Sequence, residues 1–177
     1  KDVTFSIGGK NKVNDVNISI KNEGDIICIL GPSGIGKTTM LRTIAGLEKV
    51  NKGEIILKDK VLSSKKIHVE PEKRNIALSF QENSLFPHYT INKNIHLGLK
   101  KNSLNEKNIN SNEIIKILNI NEILDKYPHQ ISAGEAQRAS LARSIISQPD
   151  LLLLDEPLSN VDQSFKEEIQ VNLKKIL

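Results

Sequence analysis

The sequence has one cysteine, Cys28, no tryptophan, and only 3% aromatic residues. A lone cysteine excludes an internal disulfide framework and any zinc site built from several thiolates. The scarcity of aromatics argues against a platform on which nucleic-acid bases stack. Charge of one sign is also in short supply. The 25 Lys and Arg residues face 21 Asp and Glu, a net of +4. The positive charges come in pairs such as Lys65-Lys66 and Lys100-Lys101, not in a dense block, so a solvated surface is favoured over a nucleic-acid footprint. The longest apolar run, Ile26 to Leu30, is far below the roughly 20 residues of a membrane-spanning helix. No secretory leader is evident, and the chain begins at Lys1 and not Met, so the expectation is a fragment of a longer protein. What remains, 177 residues with 38% hydrophobic and 26% charged, suits one globular domain with at most a small satellite.

Along the chain, Val3 and Phe5, then Val16, Ile18 and Ile20, alternate with polar residues and predict strands with one wet face. Glu23-Gly24-Asp25 is turn chemistry. The continuous apolar run Ile26-Ile27-Cys28-Ile29-Leu30 predicts a strand buried on both faces. A glycine-rich loop follows, then a helix from about Thr38 to Ala45 with Gly46 as its C-terminal cap. A hairpin is expected around Lys58-Asp59-Lys60, and a strand over Asn75 to Phe80 that ends at Gln81. From about Thr90 to Tyr127 the apolar spacing turns helical, with Ile114, Ile115, Leu118, Ile123 and Leu124 recurring at three- and four-residue steps. This region, 84–130, reads as a small helical subdomain. Ser132 is the expected N-cap of a helix that reaches Ser147, stopped by Pro149. Leu151 to Leu154 predicts another buried strand, and a last helix begins near Gln163 with Phe165, Ile169, Leu173 and Ile176 on one face. Strands alternating with helices imply an α/β fold with a parallel sheet covered on both sides.

Two stretches carry phosphate chemistry. Gly31-Pro32-Ser33-Gly34-Ile35-Gly36-Lys37-Thr38 fits G-x-x-x-x-G-K-[ST], and Thr39 continues into the helix. Its glycines let the backbone curl so that successive N–H groups face one point, and the helix N-terminus adds positive charge there. Lys37 would reach the outer phosphates of a nucleotide and the Thr38 hydroxyl would hold Mg²⁺. Leu151-Leu152-Leu153-Leu154-Asp155-Glu156 delivers two carboxylates to the end of a buried strand, where ligands of open α/β sheets sit. Asp155 is the candidate Mg²⁺ ligand. Glu156 is the candidate base that polarises water. A third stretch, Ile131-Ser132-Ala133-Gly134-Glu135-Ala136-Gln137-Arg138, opens the long helix and offers a second anion cradle.

Together these stretches resemble the ATP-binding cassette ATPases over nearly the whole chain. Gly31 to Thr38 is similar to their Walker A motif, Leu151 to Glu156 to Walker B, and Ile131 to Glu135 to the signature. Gln81 resembles the Q-loop glutamine, and Ser159-Asn160-Val161-Asp162 the D-loop. The resemblance implies a P-loop NTPase with a mostly parallel central sheet, an N-terminal antiparallel β subdomain and the helical subdomain. It also implies a head-to-tail dimer, with a second copy or a homologous ATPase subunit, that sandwiches two ATP molecules. On that reading Ser132, Gly134 and Glu135 meet the nucleotide held by the partner. Gln81 helps bind Mg²⁺ and senses the γ-phosphate, and Asp162 couples the two sites. The stretch Val69 to Ile76, continuing through Phe80-Gln81-Glu82-Asn83-Ser84-Leu85-Phe86-Pro87-His88-Tyr89-Thr90-Ile91, looks like ATPase subunits of bacterial importers for iron(III), polyamines, sulfate or thiamine. In those proteins it contacts a separate integral-membrane permease subunit at the cytoplasmic face of the inner membrane. Leu85, Phe86, Pro87 and Tyr89 either anchor such an interface or pack on the helical subdomain.

The sequence departs from the family pattern in several places. Ala133 stands at the first signature glycine, and Glu135 replaces Gln. Ile7 stands where an adenine-stacking aromatic is expected, with Phe5 the alternative. The switch histidine is absent before Leu177, so the expected reading is a cassette incomplete at its C-terminus that hydrolyses ATP poorly. The rival readings are a soluble cassette acting on nucleic acid or the ribosome, a weakly hydrolysing regulatory module, and an exporter ATPase.

Overall fold

The computed structural model describes residues 1–7, 11–79, 85–97, 110–160, 165–167, 169 and 171. The chain divides into two compact units, residues 1–76 and 77–177. No helix among the described residues is long and apolar enough to cross a membrane.

In the first unit, β1 (Val3–Ile7) pairs antiparallel with β2 (Asn11–Val16), Phe5 opposite Val13. Helix α1 (Lys37–Ala45) follows the glycine-rich loop. Gly46 ends it in the left-handed conformation at φ +91°, and its N–H and that of Leu47 bond the Thr43 and Arg42 carbonyls. The expected hairpin is β3 (Ile55–Leu57) and β4 (Lys60–Ser63), turned by Lys58 and Asp59, both at positive φ as a two-residue hairpin loop requires. Phe5, Met40, Leu41, Ala45 and Leu62 form the buried apolar set of this unit.

Two expectations fail here. Ile18 and Ile20 lie beyond the end of β2 and are exposed. The run 26–30 is not a buried strand either: Ile26 is 63% and Leu30 86% exposed, without strand hydrogen bonding. A strand buried on both faces needs partners along both edges. The described strands of this unit pair off as β1–β2 and β3–β4 and leave no edge bonded to the run. Apolar continuity specifies that a segment is able to be buried; it does not supply the neighbours.

β5 (Ile76–Ser79), which begins at the boundary of the two units, pairs with β6 (Leu151–Leu154), and the described strands form three separate two-stranded sheets. Helices α2 (Ile91–His96), α3 (Ser111–Ile117) and α4 (Ala133–Ile146) share one core. Its centre is Ile91, Ile95, Ile114, Leu118, Ile120, Leu141 and Ile145, all essentially without solvent contact. The helical spacing of Ile114, Ile115 and Leu118 is what turns them to that core. Thr90 caps α2 through its hydroxyl, which accepts the Lys93 N–H at 3.3 Å. Residues 165–167, 169 and 171 are helical, and Ile169 joins the core; the other residues of the expected last helix lie outside the described residues.

Candidate functional site

The glycine-rich loop and α1 form one piece of the site. Gly36 is the N-cap of α1 at φ +104° and supplies no side-chain hydrogen bond. No acidic residue sits in the first turn. The helix therefore begins with backbone N–H groups that no side-chain cap satisfies. Gly36 is favoured by its conformation, and a side chain there would also oblige Ile7 to shift. Its φ is left-handed, and a Cβ would stand 2.6 Å from the Ile7 Cδ1. Gly34 is also left-handed, at φ +80°, but has open space around it. The Lys37 ammonium folds back over the loop and donates to the carbonyls of Gly31 at 2.7 Å and Pro32 at 3.0 Å. Pro32, Ser33, Ile35 and Thr38 are exposed, while Lys37 and Thr39 are partly so. Phe5 is only 2% exposed, so it offers no ring face for stacking. Ile7, half-buried, packs against the loop at Gly36.

The far end of α1 is held by a residue that the sequence reading did not single out. Arg74, 2% exposed, donates from Nη1 to the carbonyls of Ile44 (2.8 Å) and Thr43 (3.4 Å). From Nη2 it donates to the Ser63 hydroxyl (2.7 Å), and from Nε to the Val69 carbonyl (2.7 Å). Burial lowers its pKa, with Glu70 acting in the opposite sense. The positive charge sits at the carbonyl end of the helix, where the helix dipole favours it.

In the second unit, β6 ends in Asp155 and Glu156. The Asp155 N–H donates to the Ser79 carbonyl at 3.1 Å, which fixes the start of the acidic pair to the end of β5. Glu156 is exposed and lies in the left-handed region at φ +46°, which costs a non-glycine residue about 1–2 kcal/mol. Taken singly, Thr38 in the first unit offers a hydroxyl oxygen and Asp155 in the second a carboxylate oxygen, each a donor type that a hard cation such as Mg²⁺ takes. Among the described residues no group of three or more His, Cys, Asp or Glu could hold a metal ion. Mg²⁺ normally relies on one or two carboxylates, water and substrate phosphates, so a dedicated cluster of that kind is not needed for it.

Ser132 is exposed and caps α4. Its hydroxyl accepts the Glu135 N–H at 3.3 Å and donates to the Glu135 carboxylate at 2.8 Å. The Ser132 N–H donates to the same carboxylate oxygen at 2.7 Å. This reciprocal box is a strong helix start. The Ser132 N–H, and then its hydroxyl, hold the Glu135 carboxyl below the usual carboxylate range. Ala133, the first helical residue, is exposed. Gly134 has a packing reason of its own: a Cβ there would lie 2.8 Å from the Asn160 carbonyl oxygen.

Two buried amides escaped the sequence reading. Gln137, 2% exposed, donates to the Glu156 carbonyl at 3.0 Å and to the Ser159 hydroxyl at 3.1 Å, and accepts the Asn160 N–H at 3.0 Å. Asn94, fully buried, accepts the Phe86 N–H and donates to the carbonyls of Phe86, Tyr89 and Thr90. The available signal was a polar residue inside an otherwise apolar helical face. Asn94 shapes the loop in which the two readings of the apolar cluster divide. Leu85 joins the core, Phe86 (46%) and Pro87 are exposed, and Tyr89 is half-buried beneath the Lys93 ammonium at 3.8 Å. Gln81 and Asp162 lie outside the described residues.

A family model described as ABC transporter matches residues 13–159. The chain is 38% identical over 178 residues to a maltose/maltodextrin import ATP-binding protein of Mannheimia succiniciproducens, covering 99% of this chain and 46% of that protein. It is 39% identical over 166 residues to a Fe(3+) ions import ATP-binding protein of Fusobacterium nucleatum, covering 93% of this chain and 43% of that one. A spermidine/putrescine import ATP-binding protein of Chromobacterium violaceum is 39% identical, with 98% and 47% covered. The chain thus spans about half the length of the curated relatives it matches. Among solved structures, the dimeric post-hydrolysis state of the ATP-binding cassette MJ0796 bound to ADP and Pi superposes with a TM-score of 0.82 at 30% identity, covering 99% of this chain and 81% of that one. An α/β fold of the P-loop NTPase kind follows from that likeness.

Proposed function

The chain belongs to the ABC transporter family, and on that premise we propose that it is the ATP-hydrolysing cassette of an importer. It would act as a head-to-tail dimer, with a second copy or a homologous ATPase subunit. The observation that carries this reading is the glycine loop. An uncapped helix start, a left-handed Gly36 and an ammonium parked 2.7 Å from a loop carbonyl form a seat ready for a triphosphate. Lys37 exchanges its carbonyl partners for phosphate oxygens, and the backbone from Gly31 to Thr39 supplies N–H donors.

Thr38, Asp155 and Gln81 are the residues that would hold Mg²⁺, which neutralises phosphate charge when bound. Glu156 takes the proton of the attacking water. Ser132, Gly134 and Glu135 form the edge that faces the partner's nucleotide, and Asp162 joins the two sites. Residues 84–130 act as the helical subdomain. The loop carrying Phe86 and Pro87 is the contact for integral-membrane permease subunits, which makes the protein peripheral at the cytoplasmic face of the membrane. The exposed Phe86 favours an interface there over complete packing against the helices. The importer names of the relatives favour transport over action on nucleic acid or the ribosome.

The test is Glu156→Gln in the full-length protein. It keeps ATP binding, slows hydrolysis by about 10²–10⁴-fold, and accumulates an ATP-dependent dimer on size exclusion with light scattering. A variant that stays monomeric and hydrolyses ATP at the parent rate overturns the reading.

A further inference from the structure

Gln137 is among the buried polar side chains that the mechanism above does not use. Gln137 lies in the second turn of α4, close behind Ser132, and its carboxamide meets the turn that follows β6 at three points. Both N–H donors are used, on the Glu156 carbonyl at 3.0 Å and the Ser159 hydroxyl at 3.1 Å. The oxygen accepts the Asn160 N–H at 3.0 Å. Further along that turn, Asn160 comes so close to the first turn of α4 that a Cβ on Gly134 would lie 2.8 Å from its carbonyl oxygen. The start of α4 and residues 156–160 are therefore joined by polar bonds and close contact at once. Glu156 has a left-handed backbone, a conformation that persists only when neighbours over-determine it.

We propose that Gln137 is a positioning residue. It ties the turn bearing Glu156 to the start of α4, so that engagement of one nucleotide at Ser132 sets the Glu156 carboxylate over the other. This rests on the cassette reading above, in which Ser132 meets the partner's nucleotide and Glu156 meets its own subunit's. The neutral amide suits the task. It serves two acceptors and one donor from a single buried point without the desolvation cost of a charge.

The experiment uses the full-length protein with MgATP, the near-isosteric Gln137→Met, which keeps volume and loses all three bonds, and Ser159→Ala, an exposed position that removes one. Binding of a fluorescent ATP analogue, steady-state hydrolysis and thermal melting are measured on each. In Gln137→Met, kcat falls by about ten- to a hundred-fold, as small misplacements of catalytic groups do. ATP affinity stays within about two-fold, because the Lys37 loop is untouched, and cooperativity in ATP falls towards unity. Ser159→Ala moves kcat and cooperativity in the same direction, by about two- to five-fold for one neutral hydrogen bond. Unchanged kcat and cooperativity in a folded Gln137→Met overturn the proposal. So does a Gln137→Met too unstable to assay alongside a kinetically silent Ser159→Ala, since Gln137 would then serve the fold alone. If the parent protein binds no ATP, the cassette reading itself falls and takes this one with it.

Discussion

Two helix starts in this molecule carry the same partial positive charge and treat it in opposite ways. Helix α1 begins on Gly36 with no side-chain cap and no acid in its first turn. Helix α4 begins on Ser132 and is closed by its own carboxylate, Glu135, which accepts the Ser132 N–H and hydroxyl at 2.7 and 2.8 Å. The first is a rim of N–H donors that carries no side-chain anion of its own. The second already has one, so any phosphate arriving there must displace or share it. The helices are also anchored differently at depth. Arg74 holds the carbonyl end of α1 with a buried cation. Gln137 holds α4 to the Glu156 turn with a neutral amide. An open end requires a helix fixed from elsewhere; a self-capped end does not.

The comparison breaks first at Arg74. Arg74→Ala leaves the Ile44 and Val69 carbonyls and the Ser63 hydroxyl without their partner, and should cost about 3 kcal/mol or more. Urea denaturation reads this out, and a loss near zero would mean that α1 is not anchored there.

Next comes the open rim itself. Lys37→Ala should weaken ATP binding by about a hundred-fold, the scale of losing charge-assisted bonds to phosphate. Calorimetry checks it, with unchanged affinity as the contrary result.

The two loop glycines then separate space from conformation. Gly36→Ala meets Ile7 as well as an unfavourable φ, whereas Gly34→Ala meets the φ alone. Gly34→Ala should cost about 1 kcal/mol and Gly36→Ala about 2–3. Equal melting shifts for the two variants would remove Ile7 from the account.

The smallest effect belongs to the closed start. Glu135 has a folded-state pKa below its unfolded one, so its contribution to stability is present above the unfolded value and is lost as pH falls through the folded one. Solvent screening keeps it to about 0.3–1 kcal/mol. Melting curves of Glu135→Gln and the parent should therefore differ at neutral pH and converge in acid. A gap that is constant with pH would show that the carboxylate's charge is not what closes the helix.

Much of the local structure was legible in residue order because its causes are local. Ser132 three residues before Glu135, glycine after the last periodic residue of α1, and the short polar turn between β3 and β4 each satisfy backbone groups within one turn. The apolar runs were less legible. Leu151–Leu154 became a strand because β5 pairs with it, while the equally apolar run 26–30 found no such edge among the described strands. The roles of the amides Asn94 and Gln137 and of the guanidinium of Arg74 were not legible in sequence, although each stands as a polar residue where burial follows. A polar residue on an apolar face has no meaning until the carbonyls it serves are known; for Gln137 and Arg74 these include the remote Glu156 and Ile44, whereas Asn94 serves carbonyls close by in sequence.

Sequence alone thus determined where the hairpin turns at Lys58 and Asp59 and where α1 and α4 start and stop. Those choices depend on steric limits and hydrogen bonds between near neighbours. Tertiary structure decided which apolar segments are covered and which buried amide or cation holds each helix. Burial and its compensating hydrogen bonds require groups from distant parts of the chain to arrive at one point, and nothing in the order of residues states that they do.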